Sequence, residues 1–250
     1  MTIALETRGL EKSFGGLRVT RELSLQVKQG ARHALIGPNG AGKTTVINLL
    51  TGVLKPNGGR ILLEGNDITD LPVHTRVLRG LSRTFQINQL YADLTPLETV
   101  GLAVSERLGR GGDWWRRMGT RDDVNEEIAE TLARFHLLDV MNELTATLPY
   151  GKQRLLEIAV AIATRPRVLL LDEPAAGVPK GESAELFAAV EGLSRELTVL
   201  FIEHDMDVVF RFASRILVMV GGRILVEGSP QEIARDERVR EVYLGTRKHG

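Results

Sequence analysis

Three short, mainly apolar runs organise this chain: "HALI" at 33–36, "VLLL" at 168–171 and "VLFI" at 199–202. Each is too short for a helix and is bounded by polar or Gly-rich residues. That is the mark of a strand buried on both faces, as in a parallel sheet. The segment 214–230, "SRILVMVGGRILVEGSP", predicts two strands around a Gly-Gly turn, and 59–65, "GRILLEG", predicts a compact strand. The opening "IALETRGLEKSFGG" mixes alternating apolar residues with a Gly-Gly pair and reads as strand, then turn.

Between these runs the period changes to that of a helix. An apolar helix follows 37–42 and ends at Gly52, and a short helix is expected at 70–80 with Pro72 near its start. Residues 96–107 read as helical. From Asp122 to Leu138 the residues Ile128, Leu132, Phe135 and Leu138 recur at helical spacing. A further helix is expected from Tyr150 to about Thr164, stopped by Pro166, and an amphipathic one over 182–197. "GRGGDWWRRMGTRDD" at 109–123 breaks every period and reads as a loop or insertion. Strands alternating with helices imply an α/β fold with a mainly parallel sheet. The helical stretch from about 90 to 160 implies a helical subdomain inserted into it.

Composition narrows the class. The 250 residues are 43% hydrophobic and 26% charged, ordinary for a globular protein. Basic and acidic residues balance at 32 each, which argues against a general nucleic-acid binder. Cysteine is absent, so there is no disulfide framework and no thiolate metal site. No apolar run reaches the roughly 18 residues that span a membrane, and the N-terminus does not read as a signal peptide. The expected location is therefore cytoplasmic, with any membrane attachment supplied by other subunits.

Candidate chemistry sits at the ends of the apolar runs. "GPNGAGKTT" at 37–45 fits G-x-x-x-x-G-K-[ST]. Such a loop curls so that several backbone N–H groups face one oxyanion. Lys43 adds a charge at the β- and γ-phosphates, and the Thr44 hydroxyl can ligate Mg²⁺. A helix N-terminus aimed at the same place adds its dipole. Asp172 closes a buried strand, where α/β sheets bind ligands, and can hold Mg²⁺ through water. Glu173 can polarise an attacking water. His204 follows another buried strand and can donate to a γ-phosphate. Gln86 in "RTFQ" can orient water or metal. Taken singly, His204 reads better as a satisfied strand-end histidine and Gln86 as an ordinary polar residue.

The ordered set resembles the ATP-binding subunit of an ABC transporter over nearly the whole chain. The resemblance implies Phe14 as the adenine-stacking aromatic and Gly37, Pro38, Asn39, Gly40, Ala41, Gly42, Lys43, Thr44 and Thr45 as the nucleotide loop (Walker A). It implies Gln86 as the Q-loop, "LPYGKQ" with Pro149, Tyr150, Gly151 and Lys152 as the signature, "VLLLDE" as Walker B, "AAGVPKGE" as the D-loop and His204 as the H-loop. It further implies ATP with Mg²⁺ held by Thr44, Gln86 and Asp172. The catalytic set it implies is Glu173, His204, Lys43 and Gln86. The implied fold is a P-loop NTPase core over 1–89 and 163–250, with mainly parallel sheet and an antiparallel β element. A helical signature subdomain would occupy about 90–162.

Within that family, "RTFQ", "YGKQRLLEIA", "DEPAAG", "IEHDM" and the ending "EGSPQEI…VREVYLG" resemble the ATPases of branched-chain amino-acid importers. The implied partners are a second ATP-binding subunit, two integral-membrane permeases and, indirectly, a periplasmic binding protein, with no nucleic acid. Urea or amide uptake and lipopolysaccharide export are the alternative cargoes, and a non-transport ATPase of the same superfamily is the remaining alternative. Leu90, Tyr91 and Leu94 are candidates for permease docking or for plain core. Trp114 and Trp115 beside two arginines suit either a membrane or permease contact or an anchor for their own loop.

Two departures from the family pattern stand out. Pro149 replaces the signature serine, removing a hydroxyl and an N–H. Val178 stands where relatives carry Asn or Asp. By the resemblance, two such subunits pair head to tail, so both changes act on the partner's nucleotide. Every residue serving the chain's own site is intact. A heterodimer is therefore expected, with a homodimer as the alternative.

Overall fold

The computed structural model describes residues 2–84, 90–109, 122–178 and 180–245. Gln86, Trp114, Trp115 and Pro179 lie outside these. The chain divides into two compact units. One is Met1–Arg76, Leu170–Glu173 and Arg195–Gly250; the other is Val77–Leu169 and Pro174–Ser194.

The first unit holds two sheets. In the antiparallel one, β1 (Ile3–Phe14) lies between β2 (Leu17–Lys28) and β4 (Gly58–Leu63), and β4 is flanked by the two-residue β5 (Asn66–Asp67). In the other, β3 (Arg32–Ile36) pairs in parallel with β8 (Thr198–Ile202) on one side. On the other side it pairs in parallel with β9 (Arg215–Val220). β9 turns at Gly221 and Gly222 into antiparallel β10 (Arg223–Gly228). β7 (Val168–Asp172) enters the sheet beside β8. β3, β7 and β8 are buried almost end to end, as their mainly apolar runs imply.

Helix α1 (Lys43–Thr51) buries Val46, Ile47, Leu49 and Leu50 completely. Each such side chain contributes about 1.5–3 kcal/mol through apolar area removed from water. His33, on β3, is 1% exposed and neither ring nitrogen has a hydrogen-bond partner. Burial pushes its pKa down to about 4, so the imidazole is neutral. α2 (Val73–Leu78) leads out of this unit, and α7 (Met206–Phe212), α8 (Pro230–Arg235) and α9 (Glu237–Gly245) belong to it.

The second unit is mainly helical. α3 (Pro96–Arg107) starts with a capping box in which Thr95 and Glu98 satisfy each other's N–H groups. α4 (Asp122–Arg134) and α5 (Tyr150–Ala163) pack with α3; Val100 and Val104 on α3, Leu132 on α4, Phe135 just after it, and Leu156 and Ala159 on α5 are fully buried. One polar node ties the three helices. Arg107 donates to both Glu127 oxygens at 2.8 and 2.7 Å and to the Ala163 carbonyl at 3.0 Å. Arg165 reaches the same carboxylate at 3.0 Å. The strand β6 (Leu81–Arg83) begins just after Gly80, whose carbonyl accepts from the N–H groups of Arg167 and Val168. α6 (Lys180–Glu191) completes this unit.

Candidate functional site

In the first unit the candidate nucleotide loop, residues 37–42, leaves β3 and feeds directly into α1. Gly37 lies against β9: a Cβ there would stand 2.1 Å from the Met219 carbonyl, so only glycine fits. Burial raises the pKa of the Tyr243 phenol on α9, opposed by a hydrogen bond to the Gly37 backbone. Gly42 caps α1 without a side-chain acceptor. The first-turn N–H groups of a helix have no intrahelical acceptor, so this end suits an anion. Asn39, Gly40 and Thr44 are exposed, while Ala41 is buried.

Lys43 is 6% exposed, with its ammonium donating to the carbonyls of Gly37 at 2.8 Å and Pro38 at 3.1 Å. Burial lowers its pKa, and the charges of Glu173 and Asp172 oppose that shift. Both acids therefore act electrostatically on the lysine.

Asp172 ends β7 and is 7% exposed. The next residue, Glu173, sits at φ 50°, a conformation unusual for a side chain larger than glycine. Its N–H donates to the Ile202 carbonyl at the end of β8, which holds the turn. Its carboxylate meets Nε2 of His204 at 2.5 Å. Backbone held in a sparsely populated region clusters at functional sites, because the surroundings must over-determine it. The Thr44 hydroxyl and the Asp172 carboxylate are hard oxygen donors. Mg²⁺ in such sites takes one or two protein oxygens plus substrate phosphates and water, so these residues fit it without a dedicated cage. Phe14, at the end of β1, is 48% exposed with the Lys12 ammonium 5.3 Å from its ring centroid. It offers an open aromatic face. The Gln86 assignment lies outside the described residues.

In the second unit Pro149 is exposed and is the N-cap of α5, at φ −54°. That angle is native to the proline ring, and its carbonyl accepts the first helical bond, from Gln153 N–H at 3.1 Å. The proline thus fits the helix start without distortion. Gly151 is buried. Lys152 is bonded within its own unit, to the His136 carbonyl and to Asp139 at 3.1 Å. Sequence reading missed that internal role, since Asp139 is remote along the chain. Tyr150 reaches the Ala176 carbonyl at 2.8 Å, also unforeseen. Of the docking candidates, Tyr91 is 66% exposed, whereas Leu90 and Leu94 are partly covered.

Comparison with known proteins places this geometry. The family model described as "ABC transporter" matches residues 20–176. The chain belongs to the ABC transporter ATP-binding family. A second model, "Branched-chain amino acid ATP-binding cassette transporter", matches residues 223–249 of this ATPase. The high-affinity branched-chain amino acid transport ATP-binding protein BraF of Pseudomonas aeruginosa is 40% identical over 96% of the chain and 97% of its own length. LivG of Escherichia coli, of the same description, is 38% identical at the same coverage. Among solved structures, the ADP conformation of an ATP-binding cassette of an ABC transporter superposes with TM-score 0.85. It is 30% identical and covers 98% of this chain and 100% of that one. The α/β cassette fold and ATP hydrolysis are thereby shown.

Proposed function

We propose that this ATPase hydrolyses Mg·ATP to power an importer of branched-chain or other hydrophobic amino acids. The observation that supports the chemistry best is the grouping of Lys43, Asp172, Glu173 and His204, with Glu173 bonded to His204 and acting with Asp172 on Lys43. Residues 37–45 and Lys43 hold the β- and γ-phosphates. Thr44 and Asp172, with Gln86, hold Mg²⁺, which neutralises charge on those phosphates. Phe14 stacks on adenine, Glu173 takes the proton of the attacking water, and His204 contacts the γ-phosphate. The helical segment at about 90–162 carries the signature. The cargo reading rests on the named relatives and on the match at 223–249.

No helix among the described residues is long and apolar enough to cross a membrane. The reading therefore needs two permease subunits, with the ATPase peripheral on their cytoplasmic side and a periplasmic binding protein delivering cargo. A strain lacking this chain should lose uptake of labelled leucine, regained with the wild-type gene and not with Lys43→Ala. Normal leucine uptake with lost urea or amide uptake would reject the cargo.

The second subunit is a different ATPase in this proposal. Residues 148–153 act on the nucleotide bound by the partner, and Pro149 offers neither hydroxyl nor N–H there. A hydrogen bond to a charged group contributes about 1.5–3 kcal/mol, or roughly 10- to 100-fold in rate if it is confined to the transition state. The purified chain alone should hydrolyse ATP at least tenfold more slowly than Pro149→Ser. Equal turnover of the two, at the rate of the whole transporter, would rule the heterodimer out.

A further inference from the structure

The signature resemblance accounts for the loop at 148–153 but not for what the tyrosine in it does. Tyr150 is the first residue of α5. Its hydroxyl donates to the Ala176 carbonyl at 2.8 Å. Arg154, one turn on, lies with its guanidinium carbon 5.5 Å from the centre of the Tyr150 ring. The same guanidinium points Nη2 at the Ala176 carbonyl, at 3.5 Å. Arg154 is itself fixed by a buried ion pair with Glu157 at 2.8 Å. That pair is incompletely satisfied: Arg154 Nε and Glu157 Oε1 are buried without partners. A buried pair of that kind is weak evidence for stability, since desolvation offsets much of its attraction. What it does secure is the position of Arg154 against the tyrosine.

The opposite wall is built for the same contact. Gly177 sits at φ 77°, and a Cβ there would stand 2.9 Å from the Tyr150 hydroxyl and 3.2 Å from Cζ. Only glycine lets the ring approach this closely. Ala176 comes three residues after Glu173 along the chain. The signature helix start and the loop that follows Walker B are therefore joined by a short, rigid, two-torsion side chain held on both sides.

We propose that Tyr150 is a positioning residue that locks the signature start to the loop after Glu173, so that the state of this chain's own Walker B end sets the signature offered to the partner's nucleotide. This rests on the reading that residues 148–153 act across the subunit interface. A tyrosine suits the task. It loses little conformational freedom on ordering, and its hydroxyl fixes the distance between the two loops. The nucleotide contacts of the chain's own site do not involve Tyr150, so the lock acts on turnover rather than on binding.

The test uses the transporter complex purified through a tag on this chain, with ATPase kinetics read as kcat against KM. Tyr150→Phe keeps the ring over Arg154 and removes only the bond to Ala176. It should lower kcat about three- to tenfold with KM for ATP unchanged and the melting temperature preserved, since a net neutral hydrogen bond is of that size. Gly177→Ala should lower kcat as well, and less so in the Tyr150→Phe background, where the closest clash is gone. Wild-type kcat for Tyr150→Phe, a change confined to KM, or strict additivity with Gly177→Ala would overturn the proposal. Gly151→Asp separates the underlying reading: full hydrolysis there means the signature does not serve a partner's nucleotide. An inactive Gly151→Asp beside a fully active Tyr150→Phe means that the signature does, and that Tyr150 is not the lock.

Discussion

Glu173→Gln is expected to leave Mg·ATP binding intact while lowering turnover at least about a hundredfold. General-base assistance contributes roughly 10²–10⁴ in rate, and the amide cannot take a proton at neutral pH. The substitution is nearly isosteric, so the φ 50° turn and the N–H bond to Ile202 should survive. In the proposed function binding is carried elsewhere, by Lys43 and the amides of 37–45. Loss of the Glu173 charge removes one of the two acids that oppose the desolvation of Lys43, but Asp172 remains. The amide can still hydrogen-bond His204, so the loop that carries the histidine keeps its anchor. Rapid-quench measurement of phosphate release, alongside retention of labelled ATP on the filtered complex, separates the two effects. Hydrolysis above a tenth of the wild-type rate would remove Glu173 from the role of base. Weakened ATP retention with normal chemistry would instead make it a binding residue.

Much of this architecture is legible in the amino-acid pattern, and the reasons differ element by element. α3 spans Pro96–Arg107, as its period and the Thr-Pro-x-Glu start imply, because a capping box and an N-terminal proline are local signals. β3, β7 and β8 announce themselves by short apolar runs, because both their faces are covered. β2 is harder to read. Its alternation of Leu23, Leu25 and Val27 is clear, but the ladder to β1 shifts register repeatedly and Glu22 turns to φ 49°, which blurs the period. α6 stops at Glu191 rather than near 197, since the chain turns after Gly192. α8 carries a Ser-Pro-x-Glu capping box at 229–232 that marks its start, yet it is too short for periodicity to show.

The site divides the same way. The backbone loop at 37–45 and the acids at the end of β7 are fixed by local spacing, so sequence reveals them. The contacts that join distant segments leave no local trace. The Glu173–His204 bond spans 31 residues, the Tyr150 bond to Ala176 spans 26, and Gly37 meets Tyr243 from the far end of the chain. Arg76 belongs with these. On a short helix it reads as a surface arginine, and it is 1% exposed.

Arg76→Ala should cost about 3–5 kcal/mol of stability, one of the largest effects of any single change outside the nucleotide site. Its guanidinium donates to four backbone carbonyls: Nη1 to Leu49 at 2.8 Å and Leu50 at 2.6 Å, Nη2 to Thr69 at 2.7 Å, and Nε to Leu71 at 2.9 Å. Leu49 and Leu50 lie in the last turn of α1, where the C-cap Gly52 N–H also donates to the Leu49 carbonyl and the carbonyls carry the negative end of the dipole. No basic residue of α1 itself stands in that turn, so Arg76 supplies the charge from α2. Burial lowers its pKa, partly opposed by Asp70 and Asp67, but a guanidinium stays protonated. A buried ion pair can often be exchanged for apolar side chains at little cost, because both partners leave together. Here the acceptors are backbone and cannot be mutated away, so Arg76→Met should fail as Arg76→Ala does, despite filling most of the space. Arg76→Lys keeps the charge but lacks the planar fork and should recover less than half of the loss. Urea titration and thermal melts of the full chain read this directly; at about 2–4 °C per kcal/mol the melting temperature should fall by roughly 6–20 °C. A Met variant as stable as wild type would show that those carbonyls find other donors, and that the arginine is not what joins the end of the nucleotide helix to residues 69–71.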